Sequence, residues 1–333
     1  MIRVKIDNLK VEEYFKKINT SFGKYKSVCK KIKNKERSPT HSTNLVVLWE
    51  IKNQLKEILT GTPSNLERII KDFENKGYQD TIYDSTTEKL THFGVELKTI
   101  FDYKNFRNSQ KALWLGETLN CRSCTSCNTQ FTLVTSQAKG DKLLFHLDHY
   151  FPQSVYPYLS LSIFNLIPCC SSCNMSKSNK PFKLDSHIHP YLDGLNEIGK
   201  FKIDKYSLVK FLIDPEKNEE KIEYKLKIRE KFSGDTRIEK KLANYKTEFR
   251  IDEQYKQFKD VVAEMHLKSK FYNTERRVEL KEFFEESSIN ITDELINRFI
   301  LGNYVSDDDL LKRPLAKFMK DIGEDINLIP KNP

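Results

Sequence analysis

CTSCN (124–128), FHLDHYFPQS (145–154) and FNLIPCCSSCNMSKSNK (164–180) decide how this chain folds. Cys124 and Cys127 are spaced as CxxC, Cys170 and Cys173 repeat the spacing, and Asp148-His149 lies between the pairs. A CxxC turn brings two sulfurs to one metal, and two such turns complete the tetrahedron that Zn²⁺ prefers. Such a site is structural, because all four ligands are protein, and it ties a strand-rich segment to a short helix from Cys170 to about Ser178. Two alternatives stay open on the residues alone: Cys121 with Cys124 is also a CxxC, and Cys169 neighbours Cys170. Packing as small hydrophobes suits a lone cysteine such as Cys29 better than two spaced pairs.

A second, harder site sits beside the sulfurs. Asp148 supplies a carboxylate and Asn174, directly after Cys173, an amide oxygen; both suit Mg²⁺ or Mn²⁺ better than a soft metal. His149 titrates near neutrality and can take a proton from an attacking water. On a regular strand Asp148 and His149 face opposite sides, so one site needs the strand to end there, and Pro152 supports an end. Taken singly, Asp-His is an ordinary surface pair, Asn174 a helix cap and Asn165 a turn residue. Lys177, three after Asn174 on a helix, is either a phosphate contact or a solvated lysine.

Working outward, QFTLVT (130–135) and KLLFHLD (142–148) read as strands around a turn at Gly140-Asp141. Residues 1–110 read as mainly helical, with an apolar helix from Asn44 to Leu59. A next helix carries Leu66, Ile69, Ile70 and Phe73, capped by Ser64 or Asn65 and ended by Gly77. The basic run GKYKSVCKKIKNKER (23–37) could touch phosphates, but such a run more often is a solvated face or a loop. After residue 195, FKIDKY, LVKFLID and KIEYKLKIRE read as a small antiparallel sheet. Helices follow from Thr236 to about Glu286, and a last pair is carried by LINRFILGNY and DDLLKRPLAKFMKDI. The fold class expected is α+β, divided into a helical region (1–110), a metal-bearing core (111–195) and a C-terminal α+β region (196–333).

A net charge of +9 favours a polyanionic partner without requiring one. The start, MIRVKIDNLKVEEYF, has no apolar run of the kind that directs secretion, and no stretch has the roughly 18 apolar residues of a membrane span. Clustered cysteines, seven in number and therefore not all pairable, argue for metal ligation in a reducing, cytoplasmic compartment.

The constellation FHLDHYFPQS, FNLIPCCSSCN and MSKSNK resembles the HNH endonucleases, whose site is a ββα-metal finger. The resemblance implies that His149 is the general base, Asp148 the first metal ligand, Asn165 the residue orienting the base or its loop, and Asn174 the last metal ligand. It also sets the zinc register at Cys124, Cys127, Cys170 and Cys173, leaving Asn128 and Asn174 after each pair. The role of His146 stays open. A longer likeness runs through TIFDYKNF, LNCRSCTSCNTQFT, residues 148–174 and HPYLDG. It is similar to the HNH subunits encoded beside ATPases in Septu-type anti-phage defence systems, and it implies an ATPase partner. The aromatic usual inside the first CxxC is replaced here by Thr125-Ser126. His187, His189 and Tyr191 fall within this likeness, and His189, before Pro190, reads as a packing residue.

The expected function is metal-dependent cleavage of DNA by a defence effector. The alternatives are a ribonuclease using the same residues, for instance on tRNA, and a zinc-stabilised binding module without catalysis. Chemistry at the phosphate does not separate DNA from RNA, because substrate choice comes from surfaces outside the motif.

Overall fold

The computed structural model describes residues 1–20, 27–37, 42–135 and 142–331. It is α+β and mostly helical, with small two-stranded antiparallel sheets. The chain divides into two compact units. The first comprises Arg3–Cys121 and Thr132–Leu192, and the second comprises Met1–Ile2, Arg122–Phe131 and Asp193–Pro333. The boundary expected at 110/111 falls inside the first unit, and the one expected at 195/196 lies close to the junction at Asp193.

In the first unit, the apolar stretch 44–59 forms two helices, Ser42–Asn53 and Leu55–Thr60, broken at Gln54. They bury Val47, Leu48, Ile51, Ile58 and Leu59 and leave Trp49 exposed. The next helix, Pro63–Asn75, is capped by Thr62, whose side chain accepts from the Asn65 N–H at 3.4 Å; Ser64 and Asn65 lie inside the helix. Proline at the first helical position explains the register, since its missing N–H has no partner there anyway. Gly77, at φ 68°, ends the run. Of the basic run, Val28–Glu36 is a helix. Its Lys31 and Lys35 sit on Asp102 (3.1 Å) and Glu96 (2.5 Å), so these two are ion-paired and not simply solvated. Residues 23–26 of that run lie outside the described residues.

These helices, with those at Asn8–Asn19 and Tyr78–Ile82, grip one loop, residues 150–165. Tyr14 Oη donates to Leu161 O (2.7 Å), Gln79 Nε2 to Val155 O (2.8 Å) and Ser162 Oγ to Ile58 O. Phe73 packs on Tyr158 with ring centres 4.9 Å apart. A loop that packs this way has its backbone groups satisfied away from water, as a buried segment must.

The loop joins two strands, β1 (His146–His149) and β2 (Leu166–Cys169), paired antiparallel with Asp148 opposite Ile167 and His149 opposite Leu166. A short helix, α1 (Ser171–Lys177), follows at once, with Cys170 in extended conformation at its N-cap. The local order is therefore strand, loop, strand, helix. This corrects the strand reading of the sequence: QFTLVT contributes only Val134–Thr135, paired with Lys142–Leu143, and the partner of the Asp148 strand is LIPC. The turn expected at Gly140-Asp141 lies outside the described residues. The helix Gln110–Leu119 packs on the paired segments Val134–Thr135 and Lys142–Leu143 so closely that a Cβ on Gly116 would meet Leu143 Cδ2 at 2.6 Å.

In the second unit, β3 (Gly199–Ile203) and β4 (Tyr224–Ile228) pair antiparallel. Between them LVKFLID is not a strand but part of a helix, α2 (Lys205–Ile213). Asp204 caps it by accepting from Ser207 N at 2.8 Å, and Leu208 and Phe211, three apart, supply the buried face. Helices at 236–248, 251–255, 259–271 and 274–286 match the expected helical stretch. The C-terminal helix, α3 (Ala316–Asp325), begins only after Pro314. Its Asp321 and Asp325 accept from the backbone N–H groups of Phe201 (2.9 Å) and Ile203 (3.0 Å), closing the free edge of β3. No described helix is long and apolar enough to cross a membrane.

Candidate functional site

Four buried cysteines, Cys124, Cys127, Cys170 and Cys173, place their sulfurs within 4.8 Å of one another. They could hold a structural metal such as zinc, for which four thiolates are a complete ligand set. Cys121 is outside the group: its thiol donates to Leu119 O (3.3 Å), and burial pushes its pKa up to about 12. Burial also raises the Cys169 thiol well above its ordinary value.

The first CxxC turn is held from several sides. The Cys124 backbone carbonyl accepts from Asn128 N (2.8 Å), and Thr129 donates to Cys127 Sγ through its hydroxyl at 3.1 Å and its N–H at 3.4 Å. Donors aimed at a sulfur stabilise it as a thiolate, the form that binds metal. Asn128 adopts the left-handed conformation (φ 58°) and is 2% exposed. Its amide donates to Ser123 Oγ (2.8 Å) and Leu310 O (3.0 Å) and accepts from Lys317 N (3.2 Å). Tyr245 and Tyr255 donate to the carbonyls of Ser126 (2.6 Å) and Cys127 (2.7 Å). The sequence signalled Asn128 only by its place after the CxxC. The two tyrosines carried no local signal.

The Asp148-His149 corner lies in the first unit. His149 is 6% exposed and its Nε2 is 2.9 Å from Ser160 O. A carbonyl can only accept, so Nε2 carries the hydrogen. Burial, helped by the ammonium of Lys177, lowers the imidazole to about 4, which keeps it neutral at physiological pH. The remaining nitrogen, Nδ1, then holds a lone pair. The Tyr103 ring meets His149 edge-on with centres 4.4 Å apart, and Tyr103 Oη donates to Leu147 O (2.6 Å). Tyr103 follows Asp102, a left-handed residue (φ 39°) that ends one helix and caps the next. That corner turns Tyr103 toward β1, a role with no local signal in the sequence.

Asn165 is fully buried and holds the loop to the strand end. Its Oδ1 accepts from Phe151 N (2.7 Å), and its Nδ2 donates to Phe151 O and to Leu159 O, both at 3.0 Å. Leu159 precedes Ser160, so the same amide that clamps the loop fixes the carbonyl on which His149 rests.

Asp148 is 8% exposed. Burial raises its carboxyl to about 6, against the opposing pull of Lys177, whose ammonium lies 3.5 Å from Oδ2. Lys177 is completely buried and also donates to His149 O at 2.5 Å. It is therefore neither a solvated lysine nor directed at solvent. Asn174 is half-buried, one turn before Lys177 on α1, and thus on the helix side that carries Lys177 to Asp148. His146 is exposed, with Nε2 3.2 Å from Ser171 Oγ at the start of α1. His189 is buried against the Tyr150 ring at 4.2 Å, and Tyr191 donates to Leu166 O at 2.9 Å. His187 stacks on Phe182 at 4.2 Å.

No family model matches this chain, and no solved structure matches it. Over 51 residues it is 39% identical to Protein ea31 of Escherichia phage lambda, a similarity covering 14% of this chain and 17% of that protein. The chain thus spans under a fifth of that relative's length.

Proposed function

We propose that this chain is a metal-dependent HNH-type endonuclease that hydrolyses phosphodiester bonds, with DNA as the favoured substrate. The observation that carries the reading is His149, held by Ser160 O at the end of a strand whose Asp148 is paired with Lys177 of the helix bearing Asn174. Strand, loop, strand and helix follow in the order that a ββα-metal finger requires.

In this reading His149 Nδ1 takes the proton of the attacking water, while Nε2–H stays on Ser160 O and fixes the ring. Tyr103 holds the ring from its edge, and Asn165 holds the loop that supplies the carbonyl. Asp148 and Asn174 would hold Mg²⁺ or Mn²⁺. The donor set fits a hard cation that keeps most of its waters and uses few protein ligands. Bound there, such a cation stabilises negative charge on the phosphate and on the leaving oxygen. Lys177 balances the buried Asp148 and ties it to the His149 backbone. Zinc on the four cysteines would be structural, since no ligand position remains for substrate.

The reading includes an ATPase partner and a role in anti-phage defence. Exposed Tyr206, Val209 and Ile213 on one face of α2 support a protein-binding role for the second unit. The experiment is cleavage of plasmid and of total RNA with Mg²⁺, with Mn²⁺ and with chelator. The expected result is metal-dependent plasmid cleavage. RNA cleavage alone would move the proposal to a ribonuclease, and cleavage of neither would favour the binding module.

A further inference from the structure

The β3–β4 pair carries lysines directly opposite lysines. Lys200 faces Lys227 and Lys202 faces Lys225 across the ladder, and side chains two apart share a face. All four therefore stand on one side of the sheet, while Phe201, Ile203 and Leu226 are buried on the other. Like charges placed directly opposite destabilise a strand pair. A two-stranded sheet with no further strand to support it is a poor place for that cost.

The neutralisation is uneven. Lys200 is bound by Glu324, with its side chain 14% exposed. Among the described residues Lys202 pairs only with Glu230 at 3.9 Å, a carboxylate 97% exposed and hence largely in water. Lys225 and Lys227 are exposed and make no ion pair among the described residues. Three lysines thus share one small face with no strong counter-charge among the described residues. Two residues along a strand span about 6.8 Å, comparable with the distance between successive phosphates of a nucleic-acid strand.

We infer that Lys202, Lys225 and Lys227 form a contact surface for the phosphate backbone of a nucleic acid. The repulsion that weakens the isolated sheet is relieved when phosphates lie over it and the condensed counterions are released. Such contacts hold the polymer without reading its sequence. The choice of nucleic acid over another polyanion rests on the nuclease reading. The lysine face itself does not.

The test uses the full chain carrying His149→Ala, so that bound nucleic acid is not cut. Binding of a labelled DNA duplex is followed by fluorescence anisotropy across a salt series, with and without Lys225→Gln/Lys227→Gln. Each lost phosphate contact lowers the salt slope by about 0.9, so two contacts correspond to roughly 60-fold weaker binding at about 0.1 M salt. The same variant should unfold no earlier than its parent in denaturant, because a like-charge ladder has been removed. A control pair, Lys240→Gln/Lys256→Gln, makes the same charge change at exposed positions elsewhere in this unit and should leave the slope nearly unchanged.

Equal loss in both pairs, or an unchanged slope in the sheet variant, would overturn the inference. So would lysine-dependent binding to phosphatidylserine vesicles without binding to DNA. Lysine-dependent DNA binding by a chain that cleaves nothing would keep the surface and remove the nuclease. Cleavage with no lysine dependence would do the reverse.

Discussion

Replacing Asn165 by Ala tests the geometry of the candidate site through stability and activity together. The substitution removes one acceptor and two donors at a position with no solvent exposure. It strands Phe151 N, Phe151 O and Leu159 O, on residues 2% and 0% exposed. Each buried group left without a partner costs about 1–3 kcal/mol. Three of them at the low end, with some relaxation toward water, give a loss of about 3–5 kcal/mol. That is a third or more of the roughly 5–15 kcal/mol that holds a typical domain. Asn165→Asp keeps the acceptor for Phe151 N but replaces the amide nitrogen that makes both donations with one oxygen facing two carbonyls, so it should be no better than Ala. The assay is equilibrium urea denaturation followed by tyrosine and tryptophan fluorescence. It is paired with plasmid cleavage measured well below the unfolding midpoint. Cleavage should fall even where the protein is folded, because the Ser160 carbonyl that orients His149 is no longer fixed. A loss under about 1 kcal/mol for both variants would refute the role given to this amide.

Other outcomes follow from the same geometry. Tyr103→Phe should cost about 1 kcal/mol by losing the bond to Leu147 O while keeping the ring edge on His149, and so should retain most cleavage; Tyr103→Ala should lose both, as denaturation and initial rates will show. Cys170→Ser should release zinc and lower the unfolding midpoint, whereas Cys121→Ser should keep its zinc, a contrast read by metal analysis of the purified proteins. At Asp102, burial acts to raise the carboxyl. The Asn105 amide and the Lys31 ammonium outweigh it, so its folded pKa lies below the unfolded one. The folded state then binds fewer protons, and this contribution is complete above the unfolded pKa of about 3.9 and lost as pH falls through the folded value. Asp102→Asn should therefore flatten the acid limb of the stability curve below about pH 4.

Much of this was legible because metal ligation has a short sequence grammar. The spacing of two between Cys124 and Cys127, and between Cys170 and Cys173, is set by how far a turn can carry two sulfurs to one point. The helix after Cys170 and the end of the strand at His149 were likewise readable. The strand LIPC was not, because Pro168 reads as a turn. In a two-stranded pair every second N–H of a strand lies outside the ladder, and a proline fits such a slot. α2 was misread because LVKFLI is apolar almost throughout, which suits a buried strand as well as a helix. The deciding signal was Asp204 three residues before Ser207, a cap. What no local pattern could disclose are the long-range bonds: Tyr14 to Leu161, Tyr103 to Leu147, Tyr255 to Cys127. They arise from packing between segments far apart in sequence, and they position the loop, the strand bearing His149 and the first CxxC turn.

The most direct measurement is the single-turnover rate of nucleic-acid cleavage by His149→Ala beside the unaltered protein, in Mg²⁺ or Mn²⁺, with zinc content and unfolding midpoint determined on the same samples. General-base catalysis by His149 predicts a rate lower by roughly 10²–10⁴-fold with zinc and fold retained. A variant that cuts as fast as its parent would contradict it.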